Sequence, residues 1–357
     1  ALTGTVSHGD VGSYDGLGSL VRSGGLRLAA HRASASGPWT ATLRSGPLAA
    51  SNAQSDLAFL TLAFDARAST PRPFRVAVES LDPSGASTGR LERWVYPHAS
   101  DYLQRYSFEL SDMSAVSGTF DPTAASWQLS FTVEGGSIPT FDWGAGSLTL
   151  DIDNVHLARP RYVVSPTGNN NNPGTAEAPF ATLARANALV TPGDIVLVRS
   201  GATGFPDYQV STDTNNQGIQ LTRGGTPSAW VTYKNYPGER PTLRNVGWAV
   251  VRIGAGFASS RDRTTEVAYV ELRGMEFHGI ADSLAESIKG SSSNGSSNTN
   301  GVSIEGRFMA LRPHHLRLVD LTARNLSGGG LGGIQTDYVA IEGNLVRDTS
   351  SWTAYAT

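Results

Sequence analysis

Cysteine is absent from the 357 residues, which removes disulfides and thiolate metal sites from consideration. Lysine is almost absent. It occurs only at Lys234 and Lys289, so a lysine general base has two places to be. That bias is also the ordinary product of a GC-rich genome, because composition is a weak functional signal. No apolar run has the length of a membrane span. The formal charge of −3 comes without a dense basic stripe, which argues against a nucleic-acid footprint. The start at Ala1 has no charged segment followed by an apolar one, as in a mature exported protein whose signal peptide is gone, or a trimmed chain. What is present is glycine (40 residues), proline (18) and 39% apolar side chains, the balance of a turn-rich all-β protein. The length suggests two domains, and the composition changes near residue 160.

Residues 1–160 carry the period-two alternation of half-buried antiparallel strands. Phe74, Val76 and Val78 alternate with Arg75, Ala77 and Glu79, and Leu148, Leu150 and Ile152 alternate with Thr149, Asp151 and Asp153. The nearly continuous apolar run Leu57–Phe64 reads as a central strand buried on both faces. Turns such as Asp82-Pro83-Ser84-Gly85 separate the runs, and short strands at regular spacing predict a β-sandwich. Its aromatics include Trp39, Trp94, Tyr96, Tyr102, Tyr106, Trp127 and Trp143. Most aromatics of a sandwich are core, but a sugar ring packs well on an exposed one. Trp94 and Tyr96 are the better pair, since shared strand parity points both rings to one face beside Arg93 and His98. The closing stretch SLTLDIDNVHLAR resembles the last strand of jelly-roll carbohydrate-binding modules. That resemblance implies a structural calcium on Asp153, against the plainer reading of a solvated acid, since one strand supplies only one or two of the oxygens calcium needs.

From Arg161 the pattern changes. A short strand (Tyr162–Ser165) meets a Gly/Asn/Pro turn, Pro179-Phe180 opens a short amphipathic helix through Asn187, and Pro192-Gly193-Asp194 leads into an apolar strand, Ile195–Val198. Such a helix caps a repeat architecture and hides its first unit from water. The stretch Arg161–Gly201 resembles the N-terminus of secreted right-handed parallel β-helix polysaccharide lyases and glycoside hydrolases. It departs from them in carrying asparagine in the first turn (Gly168-Asn169-Asn170-Asn171-Asn172), where an acid is usual.

Three later segments align: Tyr269–Ile280, His315–Leu326 and Tyr338–Thr349. The last two are offset by 23 residues and the first two by 46, which reads as one rung and two rungs of a coil repeat. Val270/Leu316/Val339, Leu272/Leu318/Ile341 and Phe277/Ala323/Val346 then stack as core columns. Beside the last runs His278/Arg324/Arg347, which suits a groove for a polyanion or equally a solvated edge. Next to it stands Gly279/Asn325/Asp348, where Asn325 also fits a structural asparagine ladder. The polar insertion Ser287–Gly301, with Lys289, cannot pack a core and reads either as a flap over a cleft or as a passive loop. Ser327–Asp337 reads as a tight glycine-rich turn and, lacking the P-loop context, not as a phosphate loop.

Repeating the 23-residue offset from Ile334 lands on Thr357, halfway through a rung. The expectation is that a second chain or C-terminal fragment completes the coil by strand pairing. The resemblance implies an extracellular or periplasmic bacterial protein, secreted or on the cell surface, that degrades a polysaccharide. On a uronate glycan, β-elimination needs the carboxylate neutralised (by calcium or arginine), a base and an acid. Arg324 and Arg347 are candidates for the clamp and base region, and His278, His314 or His315 for proton transfer, with Lys289 on the insertion. A hydrolase would instead need two carboxylates about 5 to 10 Å apart. Glu271, Glu276, Asp320, Glu342 and Asp348 are available for that, with no pair standing out. The third alternative is a non-catalytic, carbohydrate-binding adhesive protein with the β-helix as a stalk.

Overall fold

The computed structural model describes residues 2–14, 20–32, 39–49, 56–97, 102–135, 146–201, 204–213, 215–254, 265–279, 299–307 and 311–349. Its contacts divide into two units, Ala1–Arg159 and Pro160–Thr357. Both are built of strands.

The first unit contains β1 (Leu2–Tyr14), β2 (Leu20–Arg32), β3 (Trp39–Arg44), β4 (Leu48–Ala49), β5 (Thr61–Ala68), β6 (Phe74–Leu81), β7 (Ser87–Val95), β8 (Gln104–Glu109), β9 (Ser114–Gly118), β10 (Ser126–Gly135) and β11 (Gly146–Ala158). They form two antiparallel sheets, ordered β1-β2-β11-β5-β8 and β3-β10-β6-β7-β9, with β4 added to β10. The inner faces meet at Phe64, whose ring stacks on Tyr106 and stands edge-on to Phe131. The apolar run Leu57–Phe64 is not one strand. Asp56 accepts a hydrogen bond from the backbone N–H of Ala58 and turns Leu57–Phe59 into a 3-10 helix, and only Thr61–Ala68 is extended. That strand is buried along nearly its whole length.

The second unit contains β12 (Pro160–Val164), α1 (Leu183–Asn187), β13 (Ile195–Val198), β14 (Tyr208–Ser211), β15 (Ile219–Leu221), β16 (Val231–Asn235), β17 (Thr242–Asn245), β18 (Ala249–Ile253), β19 (Ala268–Arg273), β20 (Glu276–His278), β21 (Asn300–Glu305), β22 (His314–Val319), β23 (Thr322–Leu326), β24 (Leu331–Ile334), β25 (Asp337–Glu342) and β26 (Leu345–Thr349). These strands deal themselves in turn to three parallel sheets: β12-β13-β16-β19-β22-β25, β14-β17-β20-β23-β26 and β15-β18-β21-β24. This is a parallel β-helix, one strand per face per rung. Parallel pairing without a slip stacks like on like, so Val270, Leu316 and Val339 share a column, as do Phe277, Ala323 and Val346. Burial of such a column stabilises by about 1.5–3 kcal/mol per large side chain.

Three local expectations are corrected. The helix begins at Leu183, capped by the Thr182 hydroxyl, because Phe180 pairs its backbone with Val163 and Ser165 and packs into the first-rung core. The 46-residue offset is one rung, since β19 pairs directly with β22; the excess lies in the connection between β20 and β21, outside the described residues. Within Ser327–Asp337, Leu331–Ile334 is a strand of the third sheet, paired with β21. A Cβ on Gly330, just before this strand, would lie 2.3 Å from the Val346 side chain, so a larger residue there would force Val346 to shift. The last described rung leaves Ile341, Leu345 and Val346 exposed.

Candidate functional site: an arginine column and a histidine corner on the β-helix

On the second sheet, side chains adjacent to the core column point outward by strand alternation. Register places Gln209, Arg244, His278, Arg324 and Arg347 in one outward column across β14, β17, β20, β23 and β26. Adjacent strands lie about 4.8 Å apart, so the column sets a cation or a histidine on each of four consecutive rungs. Glu276, two residues before His278, shares its face. The Glu276 carboxylate holds Nε2 of His278, and Nε of Arg324 donates to the same oxygen at 2.6 Å. Burial pushes the Glu276 carboxyl up, but the bonds from His278 and Arg324 outweigh it and hold the group below the ordinary carboxylate range.

The column places the predicted His278, Arg324 and Arg347 together, in different environments. His278 is 1% exposed, with the Phe205 ring edge-on at 4.4 Å, so it reaches solvent only through its partners. Arg347 is half exposed, 3.7 Å from Asp348. Arg244 went unnoticed in the sequence because the rung that joins it to His278 is 34 residues long, not 23. The Glu276–His278 pair carried a signal, two residues of one parity on one strand, that could have found it.

Each carboxylate considered for a hydrolase is matched to arginine. Arg317 donates to Glu271 at 2.6 Å and to Glu342 at 3.0 Å, and Arg273 lies 3.3 Å from Glu271. Arg240 holds Asp320 at 3.2 Å, and Glu276 and Asp348 pair with Arg324 and Arg347. Lys234 is buried on the first sheet, in register with Arg273. Lys289 lies outside the described residues.

A second cluster forms where β19, β22 and β25 begin. Tyr269, His315 and Tyr338 stack as a three-ring column, with centroids 4.8 and 4.7 Å apart and interplanar angles of 21° and 17°. Nδ1 of His315 is 2.6 Å from Nδ1 of His314, whose Nε2 lies 2.7 Å from the Glu266 carboxylate. Glu266 gave no sequence signal, since it precedes its strand by two residues and belongs to no repeat.

In the sandwich, Trp94 is the penultimate residue of β7, its ring 5.6 Å from the Arg75 guanidinium, and Tyr96 follows the strand, 66% exposed. Trp94 stands on a lattice of ion pairs across the outer face of its sheet. Arg90 bridges Glu79 and Glu92, and Arg75 bridges Glu92 at 3.1 Å and Glu134 at 2.5 Å. Trp127 and Tyr106 belong to the core, and Trp143 and His98 lie outside the described residues. Asp153 is buried opposite Asp65 and accepts from the backbone N–H of Asn154. Asp65 is occupied by Arg105 at 3.2 Å and by the Asn154 amide at 2.6 Å. Among the described residues no three His, Cys, Asp or Glu side chains gather as metal ligands. Arg105 thus supplies a cation beside the Asp65–Asp153 pair.

No family model matches the chain. The uncharacterized protein YwoF of Bacillus subtilis (strain 168) is 25% identical over 160 residues, which are 45% of this chain and 29% of that protein. The chain therefore spans under a third of that relative. Among solved structures, a rhamnogalacturonan lyase superposes with a TM-score of 0.32 and 18% identity, over 52% of this chain and 51% of that one. A family 11 carbohydrate-binding module of the cellulosomal cellulase Lic26A-Cel5E of Clostridium thermocellum gives 0.26 and 15%, over 44% and 87%. An exo-β-agarase gives 0.29 and 14%, over 45% and 23%. Scores this low carry no argument about the role of this chain.

Proposed function

We propose that the chain is an exported glycan-active protein that lays an anionic polysaccharide along the second face of its β-helix and cleaves it by β-elimination. The observation that carries this reading is the column Arg244, His278, Arg324, Arg347, one per rung. Guanidinium groups bind carboxylates through paired N–H donors, and a repeating cation suits a chain with a repeating acid. Elimination requires the carboxylate beside the scissile carbon to be neutralised, and an arginine clamp does that without a metal ion. In this reading Arg324 and Arg347 touch substrate. His278, sealed behind Phe205, positions Arg324 through Glu276 rather than meeting the sugar.

The arginine partners of all five candidate carboxylates favour elimination over hydrolysis, since a hydrolase needs one carboxyl protonated at working pH and guanidinium holds carboxylates ionised. In the sandwich, Trp94 and Tyr96 serve as stacking platforms for sugar. Further rungs, on the same or another chain, would cover Ile341, Leu345 and Val346. Calcium at Asp153 remains a separate proposal, checked by whether chelator lowers the melting temperature of the sandwich.

The test is ultraviolet absorbance of unsaturated uronate, with alginate, pectate and glycosaminoglycans as substrates. Rising absorbance, lost in Arg324→Ala, supports the proposal. Retention of these glycans without cleavage would favour the adhesive protein, and new reducing ends without absorbance the hydrolase.

A further inference from the structure

Phe205 is a large apolar side chain left 49% exposed, and it is set against the arginine column. A single exposed apolar residue is ordinary on a protein surface; this one differs in how it is held. Two residues on, Asp207 accepts from the backbone N–H of Gly201 with one carboxylate oxygen. The other oxygen accepts from the backbone N–H of Thr242 at 2.7 Å and from its hydroxyl at 2.9 Å. Tyr208 then donates its hydroxyl to the Arg199 carbonyl at 2.8 Å. The chain beside Phe205 is thereby tied to β17, the strand that carries Arg244.

The Phe205 and His278 rings lie 4.4 Å apart at 68°, close to perpendicular. Whichever ring offers its edge, such a contact uses one face of Phe205 at most. By register Arg244 and Arg324 stand on the strands either side of His278, each about 4.8 Å away. A ring stacked on Phe205 therefore lies over the column with a guanidinium-bearing strand on each side. Arg324 is held from its inner end. Among the described residues its hydrogen bonds to protein run from Nε, to Glu276 at 2.6 Å and His278 at 3.2 Å. The two Nη groups, which can grip a carboxylate side by side, are left to a ligand on a side chain 31% exposed.

We infer that Phe205 and Arg324 form a subsite for one uronate residue of the chain. The apolar face of the pyranose stacks on Phe205, and its carboxylate takes the two Nη groups of Arg324. This subsite rests on the glycan reading and narrows it to unsulfated uronans. Stacking needs a ring face bare of charge. The column also sets three arginines, Arg244, Arg324 and Arg347, beside two carboxylates, Glu276 and Asp348. That balance matches one acid per sugar, and further sulfates would meet the carboxylates. Phe205 is then a specificity-determining residue. The competing role is a plain cover that keeps water from the contact of His278 with Glu276, which any apolar side chain of similar size would serve.

The test is calorimetric binding of size-defined pectate and alginate fragments to the full chain at fixed ionic strength. Phe205→Ala should weaken binding roughly 3- to 10-fold, the worth of one aromatic stack. Phe205→Leu keeps an apolar cover on His278 but has no flat face, and should weaken binding as much. Phe205→Trp should bind like the wild type, and its added emission should shift to the blue as fragment enters. Because both residues hold one sugar, the losses in Phe205→Ala and Arg324→Ala should not add in the double variant. Sulfated glycosaminoglycan fragments of matched length should bind more weakly than pectate. If Phe205→Leu binds like the wild type while Phe205→Ala does not, Phe205 is only a cover and the subsite is overturned. Binding untouched by every Phe205 change but lost in Arg324→Ala would also overturn it, with the glycan reading left standing. Sulfated fragments held as tightly as pectate would overturn the restriction to unsulfated chains. Failure of the wild type to bind or cleave any uronan would sink the glycan reading and the subsite with it.

Discussion

Acid should loosen the sandwich at His156 as pH falls from 6.5 towards 4. This ring on β11 lies with Nε2 3.1 Å from Nη2 of Arg105 and Nδ1 3.1 Å from the carbonyl of Asn154. Arg105 donates and the carbonyl accepts, which fixes the neutral tautomer. Burial, and then the Arg105 charge, bring the His156 pKa down from 6.5 to about 4, opposed by the Asn154 carbonyl. The unfolded chain therefore binds this proton first as pH falls. The contribution to stability is complete above pH 6.5 and is lost as pH drops towards 4. For that shift the loss between pH 7 and pH 5 comes to ~2 kcal/mol. With a urea slope of about 1–3 kcal/mol per molar, the midpoint should fall by roughly 1 M. The assay is urea unfolding followed by tryptophan fluorescence, where the buried Trp127 reports the sandwich, in the wild type and in His156→Gln. The variant should lose the steep segment between pH 7 and 5. Asp65, whose carboxyl burial pushes up, titrates in the opposite sense. If the two midpoints fall in parallel over this range, the reasoning about His156 is wrong.

On the β-helix, Glu276→Gln should destabilise the rungs around β20 by about 1–3 kcal/mol at neutral pH, because a carboxylate shared by His278 and Arg324 is lost. Faster amide exchange in β17, β20 and β23 would register it. That difference should close below the ordinary carboxylate range, since the wild-type group, held low when folded, loses its advantage as pH falls through its folded pKa. Phe277→Ala should cost about 3–5 kcal/mol, seen in thermal unfolding, because the ring is fully buried between Leu243 and Ala323 in the column. Arg244→Ala and Arg347→Ala should each weaken retention in gels containing alginate or pectate and flatten its salt dependence, with neutral glycans unaffected.

Much of the fold was legible because parallel pairing repeats the sequence signal. Phe277, Ala323 and Val346 could be aligned by eye because a column of core residues admits only apolar side chains, and the register confirms the alignment. Counting rungs failed for the complementary reason. Connections between strands face outward, where insertion costs little, so 23, 34 and 46 residues all close one rung. Leu57–Phe59 was misread because one aspartate, Asp56, caps a turn more strongly than three apolar residues favour a strand.

The site was less legible. Strand parity put His278, Arg324 and Arg347 on one line, but parity reports direction and not depth. The seal of Phe205 over His278 comes from a loop some seventy residues earlier. The contact of His314 with His315 needed a distance, and the stack of Tyr269 and Tyr338 around His315 needed two neighbouring rungs. The sequence by itself determined an all-β chain, two regions of different strand pattern, and which residues line the coil, because hydrophobic period is local. Only the tertiary structure decided which charges meet, since Glu276 to Arg324, Glu266 to His314 and Asp65 to Arg105 are pairs across 40 or more residues, closed by pairing of strands rather than by any local rule.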